Sequence, residues 1–282
     1  DLHAHSDRSD GTDPPAEVVR NARAAGLDVV ALTDHDTTAG WDDAAAALPD
    51  GLTLVRGAEV SCLRDGLSLH LLAYLFDPDD AALRAELDRI RTDRDRRARD
   101  MVARLNDLGV AVTYERVAEI SGGGAIGRPH VARAMVEAGV VEDVAGAFTD
   151  EWIGNDGRAY VEKYSLDPRR AVELVNAAGG VAVFAHPGAV KRGRVVGEDV
   201  IADLADAGLA ALEVDHPDHE PGTRERLRAL ARDLGLLTTG SSDDHGSLTG
   251  RRLGRETTAP EVWEALRGRA SGVAPFGTPE GT

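Results

Sequence analysis

Apolar runs of four to six residues recur along this chain, and most give way to His, Asp or Glu. Val29-Val30-Ala31-Leu32 runs into Thr33-Asp34-His35-Asp36, and Val181-Ala182-Val183-Phe184-Ala185 into His186-Pro187-Gly188. Leu209 to Val214 is followed by Asp215-His216-Pro217-Asp218-His219, and Leu236 to Gly240 by Ser241-Ser242-Asp243-Asp244-His245. Short apolar runs bounded by turn residues predict buried strands. Amphipathic stretches lie between them: Ala16–Ala25 before Gly26, Pro168–Ala178 before Gly179-Gly180, and Thr223–Leu234. Proline in a first turn and glycine after the last mark helix ends. Strand, helix and strand with short joins predict parallel βαβ units and an α/β fold.

The rhythm breaks twice. Only the loop Cys62–Ser68 separates the apolar stretch ending near Val60 from Leu69-His70-Leu71-Leu72-Ala73-Tyr74. A parallel crossover needs a dozen or more residues, so this join is a hairpin or a sharp bend. Folding it about Arg64-Asp65 sets Glu59 opposite His70. The second break is the stretch from about Asp79 to Tyr164, which lacks strong strands. It holds a long charged helix to Leu108, a short helix near Tyr114–Ile120, the glycine-rich Ser121–Gly127 and a helix from Arg128 to Ala138. The expected organisation is therefore one strand–helix domain, 1–85 and 165–282, interrupted by a mostly helical cap, 86–164. Near the end, Thr258 with Glu261 three residues on predicts a capping box for a helix to Arg267.

Seven strands are expected, counting one that opens the chain. Six of the seven place polar residues at or beyond their carboxyl ends, the face on which barrels of strand–helix units carry their chemistry. In an extended segment alternate side chains share a face, so His3 and His5 lie together, with Asp10 just beyond. Of nine histidines, six fall at such positions or opposite one: His3, His5, His35, His70, His186 and His245. With Asp10, Glu59 and Asp243 they make nine candidate metal ligands. Imidazole and carboxylate suit zinc, manganese and iron, and nine donors suffice for two or three ions if one carboxylate bridges.

Composition narrows the setting. The 282 residues, 42% hydrophobic, allow one large domain with an insertion. No apolar run approaches the roughly 18–20 residues of a membrane span, and no signal-peptide pattern is visible. A lone cysteine, Cys62, excludes an internal disulfide framework, reads as a small packed hydrophobe and fits a reducing cytoplasm. The net charge of -17 argues against a broad grip on duplex nucleic acid. It leaves room for a small anion, because bound cations reverse the sign locally. The chain opens at Asp1, in what reads as the middle of a strand, so a few preceding residues are expected.

Asp1-Leu2-His3-Ala4-His5-Ser6, Thr33-Asp34-His35-Asp36, Gly57-Ala58-Glu59-Val60, Ala185-His186-Pro187-Gly188 and Ser242-Asp243-Asp244-His245 together resemble the ordered motifs of the PHP (polymerase and histidinol phosphatase) family. The resemblance implies a distorted seven-stranded (β/α) barrel with a trinuclear metal centre. By it, His3, His5, Glu59 and Asp243 hold one ion, and Glu59 bridges to a second held by His70 and His186. Asp10, His35 and His245 hold the third. Where Asp10 stands some members have histidine, and the harder carboxylate favours manganese or iron over zinc. The middle block with Gly127-Arg128-Pro129-His130 resembles phosphatases of nucleoside 3′,5′-bisphosphates, some of which also trim short RNA from the 5′ end.

The residues of that block agree with the resemblance. Pro129 suits a first helical turn, a helix start favours an anion, Arg128 offers a forked donor and His130 another. His219 is a further candidate for substrate contact, and Asp34 for a carboxylate that orients a ligand imidazole. The expected reaction is metal-assisted phosphomonoester hydrolysis on a small phosphorylated nucleotide, without a covalent nucleophile. Asp34, Arg128 and His130 are its candidate catalytic residues. Two or three divalent ions are expected, manganese before iron or zinc, and no membrane or obligate protein partner. Rival readings are a phosphatase of another small phosphate, such as histidinol phosphate, and a metal-binding module of a polymerase assembly.

Overall fold

In the computed structural model, which describes residues 1–124, 126–162 and 164–277, six strands lie side by side in chain order. They are β1 (Val29–Leu32), β2 (Thr53–Arg64), β3 (Leu67–Tyr74), β4 (Val181–Phe184), β5 (Ala211–Asp215) and β6 (Leu237–Gly240). Ala125 of the glycine-rich run and residues 278–282 of the expected outer domain lie outside the described residues. β1 pairs with β2 in parallel, β3 is antiparallel to both β2 and β4, and β4, β5 and β6 run parallel. Helices α1 (Pro15–Ala24) and α2 (Trp41–Ala46) make the first crossovers. The middle segment carries α3 (Ala81–Asp107), α4 (Tyr114–Ile120), α5 (Arg128–Glu137) and α6 (Val144–Ala147). Then α7 (Pro168–Ala177), α8 (Glu198–Asp206), α9 (Pro221–Asp233) and α10 (Pro260–Arg267) resume the alternation. No helix among the described residues is long and apolar enough to cross a membrane.

The sheet is buried on both faces, which is why its strands read as nearly continuous apolar runs. Val30, Leu32, Leu54, Leu71, Ala182, Phe184 and Leu212 join one apolar cluster with the helices. Their neighbours of opposite parity, Ala31, Val55, Leu72, Val183 and Ala211, join another with Leu2, Tyr74 and Trp263. Period-two alternation divides each strand between these clusters. On the second face the apolar layer gives way to Glu59 along β2, to His70 along β3 and to Glu213 along β5. That polar end is where the site forms.

Three expectations change. The opening segment, expected as a seventh strand, makes only the bridge Ala4–Asp244. It nonetheless bonds on both sides: His5 N donates to Asp244 O, while Ala31 N and Thr33 N donate to Asp1 O and Ala4 O. Acceptors three residues apart thus face donors two residues apart, a bulge-like mismatch that interrupts the ladder. The hairpin turns at Asp65-Gly66, both with positive φ, as the tight two-residue turn requires. Glu59 is therefore opposite Leu72, and His70 opposite Ser61. A shift of two residues preserves the face, so Glu59 and His70 remain diagonal neighbours. Thr258 caps no helix, because its hydroxyl donates to Gly240 O and accepts from Gly240 N.

The middle segment has an apolar cluster of its own, including Met101, Leu105, Val117, Val131, Met135 and Val161. Its entry falls within α3, not between elements. Leu83, Leu87 and Ile90 pack with the sheet's helices, whereas Ala98, Met101, Val102 and Leu105 pack with α4 and α5. The glycine-rich run is a close approach as well as a bend: a β-carbon on Gly124 would lie 2.6 Å from Asp7 O. We expect Leu71→Ala, which empties a fully buried site on β3, to cost about 2–5 kcal/mol of stability in urea unfolding. A loss below about 1 kcal/mol would contradict the two-sided burial of β3.

Candidate metal centre

Strand ends and loops deliver nine donors to one place. His3 Nε2 and His5 Nε2 lie 3.0 Å apart, and each lies 3.1–3.2 Å from Glu59 Oε2 and from Asp243 Oδ1. A tetrahedral ion with bonds of about 2.0–2.1 Å needs ligand atoms roughly 3.3–3.4 Å apart. These four buried groups are already near that spacing. A second group comprises His5, Asp10, His35 and His245, with Asp10 Oδ1 3.3 Å from His245 Nε2 and Asp10 Oδ2 3.6 Å from His35 Nε2. A third comprises His35, Glu59 and His70, with His70 Nδ1 2.8 Å and His35 Nδ1 3.3 Å from the Glu59 carboxylate. His186 Nε2 reaches Glu59 Oε1 at 3.1 Å. His35, assigned above with Asp10 and His245, thus also faces Glu59.

Electrostatics tests whether cations fit. Burial alone would push the Glu59 carboxyl up, yet His35, His70 and His3 hold it well below the usual carboxylate range. Asp10 is held down in the same way by His35 and His245. Burial would lower His5, but hydrogen bonds to Asp243 and Glu59 raise it to about 10. Protons drawn onto a buried imidazole mark a place short of positive charge, which a divalent ion supplies. Three of the six non-glycine residues with positive φ among the described residues are donors or adjoin one: Asp36, His186 and Asp243, with φ of 56°, 35° and 50°. Non-glycine residues in that region are concentrated at working sites.

Comparison with known proteins decides the family. The PHP domain matches residues 1–77, which include His3, His5, Asp10, His35, Glu59 and His70. The 3′,5′-nucleoside bisphosphate phosphatase of Chromobacterium violaceum is 34% identical over 95% of this chain and 96% of its own. The chain belongs to the PHP family. A 5′-3′ exoribonuclease of Haemophilus influenzae is 32% identical over 94% of this chain and 97% of its own. A crystal structure from Bifidobacterium adolescentis, provisionally assigned as a metal-dependent phosphoesterase, superimposes with a TM-score of 0.88 at 36% identity over 96% of each chain. Like its PHP relatives, the protein is a hydrolase of the metal-dependent phosphoesterase class.

Around the PHP donors lies a layer that sequence reasoning assigned differently or missed. Glu213 was missed. Fully buried on β5, it is 3.0 Å from His3 Nδ1 with one oxygen and accepts from His186 N at 2.7 Å with the other. Its signal was a lone carboxylate inside the apolar run Leu212-Glu213-Val214. His216 accepts from Asp218 N at Nδ1 and has Nε2 3.4 Å from Asp243 Oδ2.

Among the described residues Asp34 makes no hydrogen bond to an imidazole. It accepts from Ser6 N, Ser6 Oγ and Ser9 Oγ, and Ser9 Oγ is 3.4 Å from His5 Nδ1. Its carboxylate therefore folds the turn beside His5. His219, expected to contact substrate, has both nitrogens committed to backbone: Nδ1 donates to Val214 O, and Nε2 accepts from Gly188 N. His130 is buried, accepts from Gly127 N at the start of α5 and is pushed down to about 4 by burial, which leaves Nε2–H as its donor.

We expect Glu213→Gln to weaken divalent-ion binding about 10–100-fold in competition with a chromogenic chelator, with far-UV circular dichroism unchanged. Equal affinity would show that His3 needs no such support. Chelator-stripped protein should gain roughly 5 °C in Tm on saturation with Mn2+, and Asp243→Asn should lose most of that gain.

Proposed function

We propose that this PHP enzyme removes the 3′-phosphate from nucleoside 3′,5′-bisphosphates and admits short 5′-phosphorylated oligoribonucleotides to the same site. The observation that carries this reading is a cluster of guanidiniums, Arg94, Arg97 and Arg128, where α3 meets the start of α5. They border a gap of about 10 Å³, water-sized, whose other walls are Ala98, Met101, Ile126, Gly127 and Val131, so a phosphate meets the guanidiniums at its edge. Arg97 is buried, and among the described residues its guanidinium has only Val161 O as a hydrogen-bond partner, at Nε. Arg128 donates to Ile153 O and Asn155 Oδ1, both neutral, and stands over the rings of Phe148 and Tyr160. Helix α5 begins here with no acid in its first turn. Arg94 is paired with Asp36, but Arg97 and Arg128 have no carboxylate partner among the described residues and repel one another at the positive end of a helix, a cost an anion relieves. Burial, then Arg128 and Arg94, depress Arg97 to about 10.

In this reading two or three ions, manganese first, are held by His3, His5, Glu59 and Asp243, by Asp10, His35 and His245, and by His70 and His186 with Glu59. The ions supply Lewis acidity and water activation near neutral pH. The protein's own part is positioning. Glu59 and Asp243 set the donors' spacing, Arg128 and Arg97 hold the far phosphate, and His130 offers a neutral N–H donor. Residues 1–5, bonded to both β1 and the stretch after β6, close a distorted barrel in the place of a seventh strand without forming one, and 86–164 act as its cap.

The test is phosphate release by Mn2+-reconstituted enzyme. Adenosine 3′,5′-bisphosphate should exceed adenosine 3′-phosphate in kcat/KM by about 10–100-fold, the worth of charge-assisted hydrogen bonds of about 1.5–3 kcal/mol. Equal turnover of the two, or preference for histidinol phosphate, sinks the proposal. His35→Ala and Asp243→Ala should each lose measurable turnover while keeping their far-UV spectra.

A further inference from the structure

Asp36, the last residue of Thr33-Asp34-His35-Asp36, is so far unused. It is fully buried, follows a candidate ligand and has a left-handed backbone held by Asp36 N donating to Glu59 O. Its Oδ1 accepts from Ser61 N at 2.7 Å. Its Oδ2 accepts from Ser61 Oγ at 2.9 Å and from Arg94 Nε and Nη2 at 2.9 and 2.6 Å. Arg94 Nη2 also donates to Ser61 Oγ at 2.7 Å, closing a triangle of three side chains. Arg91 Nη1, also from α3, donates to Asp36 O at 3.1 Å.

A buried ion pair is weak evidence of stabilisation, since desolvation cancels much of the attraction. Its geometry is more informative. Two of the three guanidinium nitrogens of Arg94 are bound to Asp36, which fixes the plane of the fork. The third, Nη1, has no hydrogen-bond partner among the described residues and lies 3.7 Å from where a β-carbon of Gly127 would stand, at the start of α5. Arg94 lines the cavity shared with Arg97 and Arg128. Of those three arginines it alone pairs with a carboxylate among the described residues.

We infer that Asp36 is a positioning residue for substrate: with Ser61 it locks Arg94 so that Nη1 faces the second phosphate. It thereby ties the specificity cavity to the strand ends that carry His35 and Glu59. The inference rests on the two-phosphate reading above.

The test compares Mn2+-loaded wild type with Asp36→Asn on adenosine 3′,5′-bisphosphate and on adenosine 3′-phosphate. For the bisphosphate, Asp36→Asn should raise KM about tenfold with kcat changed less than about threefold. For the monophosphate, which has no second phosphate to hold, KM should shift less than about twofold. Arg94→Gln should show the same selective rise, and the double variant should be no worse than either single one. Should Asp36→Asn fail to fold, Ser61→Ala removes one anchor of the triangle and should move KM in the same direction by less.

Equal effects on both substrates, a fall in kcat at constant KM, or additive losses in the double variant overturn the inference while leaving the function proposed above intact. A wild type that treats the two substrates alike overturns both.

Discussion

Burying a carboxylate costs several kcal/mol unless charged or hydrogen-bonding partners surround it, and Glu59 has five imidazoles within 3.3 Å. Those imidazoles come from the opening segment, from the end of β1, from β3 and from the end of β4. No local stretch of chain could assemble them. The hairpin must keep His70 and Glu59 on one face, the parallel crossovers must point their carboxyl ends to one rim, and the opening segment must bridge β1 and the stretch after β6. Each is a condition on the whole sheet. The fold is in this sense built around one side chain's need for compensation.

That compensation extends outward in layers. Glu213 stands behind His3 and His186, His216 stands near Asp243, and Asp34 organises the serines beside His5. Strained backbone at His186 and Asp243 persists because Glu213 and His216 over-determine it. Rigidity is the common product, and donors held before an ion arrives need little reorganisation to receive it.

Much of this was legible from sequence. The candidate donors that gather at one place could be read because polar residues at strand ends interrupt apolar runs, a contrast visible without coordinates. His70 and Glu59 were paired two residues out of register, and the error was harmless because a sheet face repeats every two residues. What escaped detection depends on tertiary partners. Glu213 sits inside a strand, where pattern alone reads it as a blemish. His219 looked available until its two nitrogens were found bonded to Val214 and Gly188. The opening strand was lost to a mismatch between its two flanking ladders, and Thr258 to a strand end 18 residues away that outcompeted the helix. Local propensity describes what a residue can do, and long-range geometry selects among those options.

Helix α3 runs unbroken for 27 residues, roughly 40 Å, with its first turns embedded beside the sheet and its later turns in the middle segment. It is a stiff beam clamped at both ends. Swinging the middle segment away about this entry would require breaking backbone hydrogen bonds in mid-helix. The chain's return is tied as well: Leu166 bridges Cys62, Tyr164 N and Oη donate to Asp93 and Glu86 of α3, and Val161 O accepts from Arg97. With α3 as one tie and these bonds as the other, the middle segment is fastened at both of its ends.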